Sequence, residues 1–151
     1  MKKMNKRGVT LIELVVVIAI IAIGALLLVP NMGPWIQSYR LRSATRDIVS
    51  TMRVAQMRAV SNNLNYRVSF DTGAGTYILQ RRNTGGLWVD EGTAQTLPTG
   101  ISFPSDSPPV NNPLTFSPNS SSNGGTVTLR NTKETRRRIT VLPSTGRISI
   151  Q

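Results

Sequence analysis

The sequence contains neither cysteine nor histidine. Without cysteine, a disulfide framework, thiolate catalysis and cysteine-ligated zinc are all excluded, and cysteine usage says nothing about redox compartment. Without histidine the commonest general base is gone, and with both absent so are the commonest transition-metal ligands. Any chemistry would rest on scattered carboxylates and hydroxyls, and carboxylates are few: 7 against 18 lysines and arginines, a formal charge of +11. No catalytic residue, metal-ligand set or cofactor motif emerges, so an enzyme is not expected.

The basic residues are unevenly placed. Lys2, Lys3, Lys6 and Arg7 all precede the first apolar run, and without them 14 basic and 7 acidic residues remain, a charge of +7. Of those 14, Arg supplies 13 and Lys133 the other. Guanidinium groups favour planar, bidentate contact with carboxylate or phosphate, although a solvated surface would also account for them.

The apolar run is of membrane length. Residues 14–29 are 16 consecutive Leu, Val, Ile, Ala or Gly, and residues 9–29 are interrupted only by Thr10 and Glu13. As a helix rising ~1.5 Å per residue, that stretch spans about 31 Å, enough for a bilayer core. The preceding basic segment should stay cytoplasmic, with the rest of the chain exported. No small-x-small cleavage pattern follows the run, where Val29-Pro30-Asn31-Met32 stands instead, so the anchor is expected to be retained. Glu13 is the unusual residue. A charge at the bilayer centre costs about 2.5–3.5 kcal/mol, less near a helix end, so the carboxylate reads either as a functional group with a partner or as a snorkelling charge.

Lys6-Arg7-Gly8 followed by Val9-Thr10-Leu11-Ile12-Glu13-Leu14 resembles the prepilin peptidase site of type IV pilins and type II secretion pseudopilins. The resemblance implies cleavage after Gly8 and N-methylation of Val9, which stands where the family usually carries Phe. Glu13 becomes the fifth mature residue, and Pro30 falls at the twenty-second, where the family often bends its helix. It further implies partners: the prepilin peptidase, an inner-membrane assembly platform, and other pilins or pseudopilins in a filament. Cleavage would create an α-amino group within the apolar layer, a charge that needs a nearby anion. In the family the Glu13 carboxylate pairs with the N-terminus of a neighbouring subunit and sets axial register.

Beyond the anchor, Pro30, Gly33 and Pro34 predict a kink or local melting. Over residues 35–61 the apolar positions Leu41, Ala44, Ile48, Met52, Ala55 and Ala59 recur at three- or four-residue steps, one face of a helix. Arg42, Arg46, Arg53 and Arg58 lie mainly off that stripe, as a solvated face or, alternatively, a nucleic-acid surface. Asn62-Asn63 supplies a stop.

Alternation then predicts strands at 66–70, 76–82 and 87–90, weaker ones at 93–97 and 100–103, and three more at 126–130, 138–142 and 147–150. Residues 104–125, rich in Pro, Ser, Asn and Gly, read as a surface connection or a binding loop, with Leu114-Thr115-Phe116 as a short apolar interruption. The expected fold is α+β: a long kinked N-terminal helix, membrane-embedded in its first half, on an antiparallel sheet or small sandwich of about six to eight strands. The expected divisions are a leader at 1–8, a transmembrane and filament-core helix at 9–30, its amphipathic continuation at 31–62 and a head at 63–151.

The helix-to-sheet stretch from Arg42 through the 71–79 hairpin to Trp88, with Thr145-Gly146-Arg147-Ile148, resembles the type II secretion protein H and FimT-like minor pilin group. That resemblance implies a minor pseudopilin or minor pilin, single-pass in the bacterial inner membrane with a periplasmic head, then part of a pseudopilus or pilus. Some FimT-like pilins take up DNA through Gly-Arg-x-Arg. Here Gly146-Arg147 is present but Ser149 replaces the second Arg, and Arg136, Arg137 and Arg138 would compensate if the hairpin brings them alongside Arg147. A DNA-receptor pilin is therefore the alternative function, although base-stacking aromatics are missing from this end.

Overall fold

The computed structural model describes residues 9–28 and 33–151. Among them are two helices, α1 (Leu11–Leu28) and α2 (Gly33–Asn62). The strands are β1 (Tyr66–Asp71), β2 (Thr76–Arg82), β3 (Trp88–Asp90), β4 (Gln95–Thr96), β5 (Ile101–Ser102), β6 (Leu114–Phe116), β7 (Gly125–Asn131), β8 (Arg136–Val141) and β9 (Ile148–Ile150). The expected bend at Pro30 and the expected cleavage residue Gly8 lie outside the described residues. The chain divides into two compact units, one ending at Trp35 and one spanning Ile36–Gln151.

Most of α2 belongs to the second unit because its apolar stripe is the centre of that unit's core. Leu41, Ala44, Ile48, Met52, Ala55 and Ala59 are each no more than 2 % exposed. Thr45 and Val49 widen the buried face beyond the stripe, and the Thr45 hydroxyl is satisfied by donating to the Leu41 carbonyl at 2.7 Å. Arg42, Arg46, Arg53 and Arg58 are exposed, as the period requires. Arg58 nonetheless has a partner, Glu91, at 2.6 Å. The helix ends where Asn63 takes a left-handed conformation, φ 54°, a geometry that Asn tolerates well.

The strands form two antiparallel sheets. In the first the order is β3-β2-β1-β6, with β4 also pairing with β2; in the second it is β5-β7-β8-β9. The register of β1 on β2 (Tyr66 opposite Arg81, Val68 opposite Leu79, Phe70 opposite Tyr77) keeps Tyr66, Val68, Phe70, Tyr77 and Leu79 on one side, where all are buried. Val127, Leu129, Ile139 and Val141 do the same for the second sheet, and both sets share one core with α2. Phe103 meets Phe70 edge to face at a centroid distance of 5.8 Å.

Nine strands are present among the described residues where about six to eight were expected. The addition is β6, which the composition of residues 104–125 had marked only as an interruption in a loop. Leu114 and Phe116 are fully buried, and β6 pairs with β1 through Val68–Leu114 and Tyr66–Phe116. At the next rung the side chain of Asn112 takes the place of a backbone partner. It accepts from the Phe70 amide at 3.0 Å and donates to the Phe70 carbonyl at 2.7 Å.

Candidate functional site

Thr10 starts α1. Its carbonyl accepts from the amides of Glu13 and Leu14, and its hydroxyl lies 3.4 Å from the Glu13 amide. That makes Thr10 the N-cap and Glu13 the third helical residue, the Thr-x-x-Glu arrangement of a capping box. Sequence reasoning missed this although the spacing was there to read. It gives the Glu13 carboxylate a position beside the positive end of the helix dipole, where negative charge is favoured. Glu13 has no ion-pair partner among the described residues.

From Val9 to Ile23 the large apolar side chains of α1 are exposed around the whole helix. A helix apolar on every face has no solvated side and must be covered by lipid or by other helices. Among the described residues, no helix is long and apolar enough to cross a membrane. The described part of α1 has 18 residues, about 27 Å at the helical rise, and Val29, the last residue of the apolar run, lies outside it.

The second candidate region is the C-terminal basic sheet. Along β8 successive side chains alternate, so the three consecutive arginines divide between two faces. Arg136 and Arg138 are exposed on the outer face, whereas Arg137, half-buried, shares the inward side with Ile139 and Val141. Arg136 is held by Asp106 at 2.6 Å, and Arg130, its cross-strand neighbour, by Glu134 at 3.1 Å. The bond from Arg136 keeps the Asp106 carboxyl below its ordinary value. Arg138 has no carboxylate partner among the described residues, and with Ser107, Thr128, Arg136 and Gln151 it lines a shallow hollow of about 250 Å³.

Arg147 does not join that group. Arg138 exchanges backbone hydrogen bonds with Gln151, while the Arg147 carbonyl accepts from the amide of Leu142. Arg147 therefore sits beside Leu142, just past the end of β8 and four residues on from Arg138, about 13 Å away at the strand rise. Ser149 points its hydroxyl at the Thr140 carbonyl, 3.4 Å away. Gly146 is occupied structurally: it is buried with φ 60°, in a turn pinned to α2 by the Gln56 side-chain amide, which donates to Ser120 O at 3.3 Å and Thr145 O at 3.4 Å.

A further hollow of about 270 Å³ lies between α2 and the chain after β3, lined by Ser50, Thr51, Tyr77, Glu91, Thr93 and Gln95 among others. Its carboxylate, Glu91, is engaged by Arg58 at 2.6 Å and faces Arg81 at 3.7 Å. Burial raises the Tyr77 hydroxyl above its ordinary value, with Asp47 adding to the effect. That leaves the hollow without a poised acid–base pair. Among the described residues no cluster of carboxylates could hold a metal ion.

An apolar N-terminal helix followed by an amphipathic helix seated in an antiparallel head is the architecture of type IV pilin-like proteins. Residues 44–145 match the family of Type II transport protein GspH, and residues 3–29 match the prokaryotic N-terminal methylation motif. The chain belongs to the GspH family. Its fold is similar to that of the minor pseudopilin EpsH of the Vibrio cholerae type 2 secretion system, with a TM-score of 0.61 and 11 % identity over 74 % of this chain and 96 % of that one. It is also similar to the type IV minor pilin FimU of Pseudomonas aeruginosa, with a TM-score of 0.59 and 15 % identity over 78 % and 92 % of the two chains. No curated protein sequence matches the chain.

Proposed function

We propose that the chain is a minor subunit of a type II secretion pseudopilus or a type IV pilus, anchored in the bacterial inner membrane by residues 9–29 with its head in the periplasm before assembly. The observation that carries this reading is α1: apolar on every face, it bears a single carboxylate, Glu13, in its first turn. A simple anchor needs no such group. Processing at Gly8–Val9 by a prepilin peptidase would place a new amino group four residues before that carboxylate, and a neighbouring subunit's amino group would meet it as helices slide into a bundle. Mass spectrometry of the mature N-terminus from cells with and without the peptidase tests the reading. A chain starting at Val9 only when the peptidase is present supports it, and an intact Met1 start in both would remove it.

Glu13→Gln should leave membrane insertion unchanged and lower incorporation into filaments, because it removes the charge while keeping the size. Unchanged co-purification with filament components would show that the carboxylate does not set register.

A second reading, binding of DNA through the outer face of the second sheet, is favoured by Arg138, which lines the hollow without a carboxylate partner. Under that reading Arg136 is partly neutralised by Asp106. Asp106→Asn should then strengthen low-salt retention of double-stranded DNA by about two- to fivefold, the scale of one exposed ion pair, and retention should fall steeply as salt rises. Absence of retention at low salt, or retention indifferent to Asp106→Asn and Arg138→Ala, would end this reading.

A further inference from the structure

Opposite its buried stripe, α2 carries a second one. Tyr39, Arg42, Arg46, Ser50, Arg53, Met57 and Val60 follow one another at three- and four-residue steps, and all are exposed. They run about 32 Å along the helix. The two ends are apolar, with Tyr39 61 %, Met57 63 % and Val60 48 % exposed, and the middle is cationic. Arg42, Arg46 and Arg53 form no ion pair among the described residues. Arg42 and Arg46 are four residues apart, a like-charge spacing that destabilises the helix carrying it unless something neutralises it. Beside them a hollow of about 260 Å³ is lined by Tyr39, Arg42, Ser43, Arg46 and Asp47. Asp47, on the flank of the stripe, is the carboxylate that borders it.

Aromatic, Met and Arg side chains together are the composition of protein interface centres rather than of plain solvated surface. The charge pattern selects the occupant. A second copy packed parallel and in register would set each arginine against itself. Packed antiparallel about the middle of the stripe, it would set Arg46 against Arg53 twice. We propose that this face docks an amphipathic helix of a different chain, whose carboxylates meet Arg42, Arg46 and Arg53 and whose apolar residues cover Tyr39, Met57 and Val60. The proposal rests on the reading of the chain as a filament subunit and names the chemistry of a neighbour.

The test uses the full-length chain in cells, with a photo-crosslinking residue at Ser50 and a control at Thr72 in the β1–β2 turn. The expected result is a heterologous adduct from Ser50 and not from Thr72, mapped by mass spectrometry to a helical segment carrying Asp or Glu at the spacing of the three arginines. Joint R42E, R46E and R53E substitution should lower its yield about tenfold or more. Changing the mapped carboxylates to Arg should restore it in that background. The milder R42Q, R46Q and R53Q set, with circular dichroism of the purified protein, gives an intermediate loss with the fold intact. Adducts to a second copy, to phospholipid or to DNA, or a yield unmoved by charge reversal, would overturn the docking proposal. N-terminal mass in the same samples separates the two claims: an unprocessed chain defeats the filament reading, whereas a processed chain without the charge-dependent adduct defeats only this one.

Discussion

Phe116→Ala should lower the stability of the unit Ile36–Gln151 by about 3–5 kcal/mol, the cost of truncating a buried aromatic side chain and leaving its cavity. Phe116 is fully buried and lies opposite Tyr66, itself buried, in the β1–β6 ladder. Its strand has three residues and continues towards the Asn112 clamp on Phe70. A loss of that size is a large fraction of the ~5–15 kcal/mol that holds a domain folded. It should appear as a lower urea midpoint. Leu87→Ala, at an exposed position after the second hairpin turn, should change stability by no more than about 0.5 kcal/mol and leave the midpoint nearly unmoved. Equal effects of the two substitutions would mean that β6 is not part of the core.

The same residue marks where the fold stops being legible in the sequence. The six stripe positions of α2 could be read because a thirty-residue helix repeats its period many times. Strands β1 and β2 could be read because six- and seven-residue alternations bracket an Asp-Thr-Gly turn, in which the Asp71 carboxylate accepts from the amides of Gly73 and Ala74. Leu114-Thr115-Phe116 offers one alternation inside a Pro-, Ser- and Asn-rich stretch, too short to distinguish a strand from a loop. Its pairing is decided by Tyr66 and Val68, more than forty positions earlier in the chain. The site was legible in a similar, partial way. Glu13 could be singled out by its charge alone, and its place in the first turn of α1 was available from Thr10 three residues before. Arg136, Arg137 and Arg138 could be found as a run but not as a surface, since strand alternation turns Arg137 inward and the β8–β9 register carries Arg147 away from Arg138.

That register makes Gly146 rather than Arg147 the residue on which the C-terminal hairpin depends. Gly146→Ala should cost about 1–2 kcal/mol for a side chain in the left-handed region alone, because Gly146 has φ 60°. A Cβ there would also lie 2.5 Å from the Ser120 carbonyl oxygen and 2.6 Å from Gln56 Nε2. The Gln56 amide could swing aside, but only by giving up its bonds to Ser120 and Thr145. The Ser120 carbonyl is backbone and must move with its loop, adding about 1–3 kcal/mol of overpacking. Arg147 is exposed and forms no ion pair among the described residues, so Arg147→Ala should be nearly neutral for stability. The two adjacent substitutions therefore separate folding from binding. If urea unfolding found Gly146→Ala as stable as the parent, the turn would not be pinned against α2. If it is destabilised as expected, any loss of DNA retention in that variant reports a displaced hairpin, and only Arg138→Ala and Arg147→Ala test phosphate contact directly.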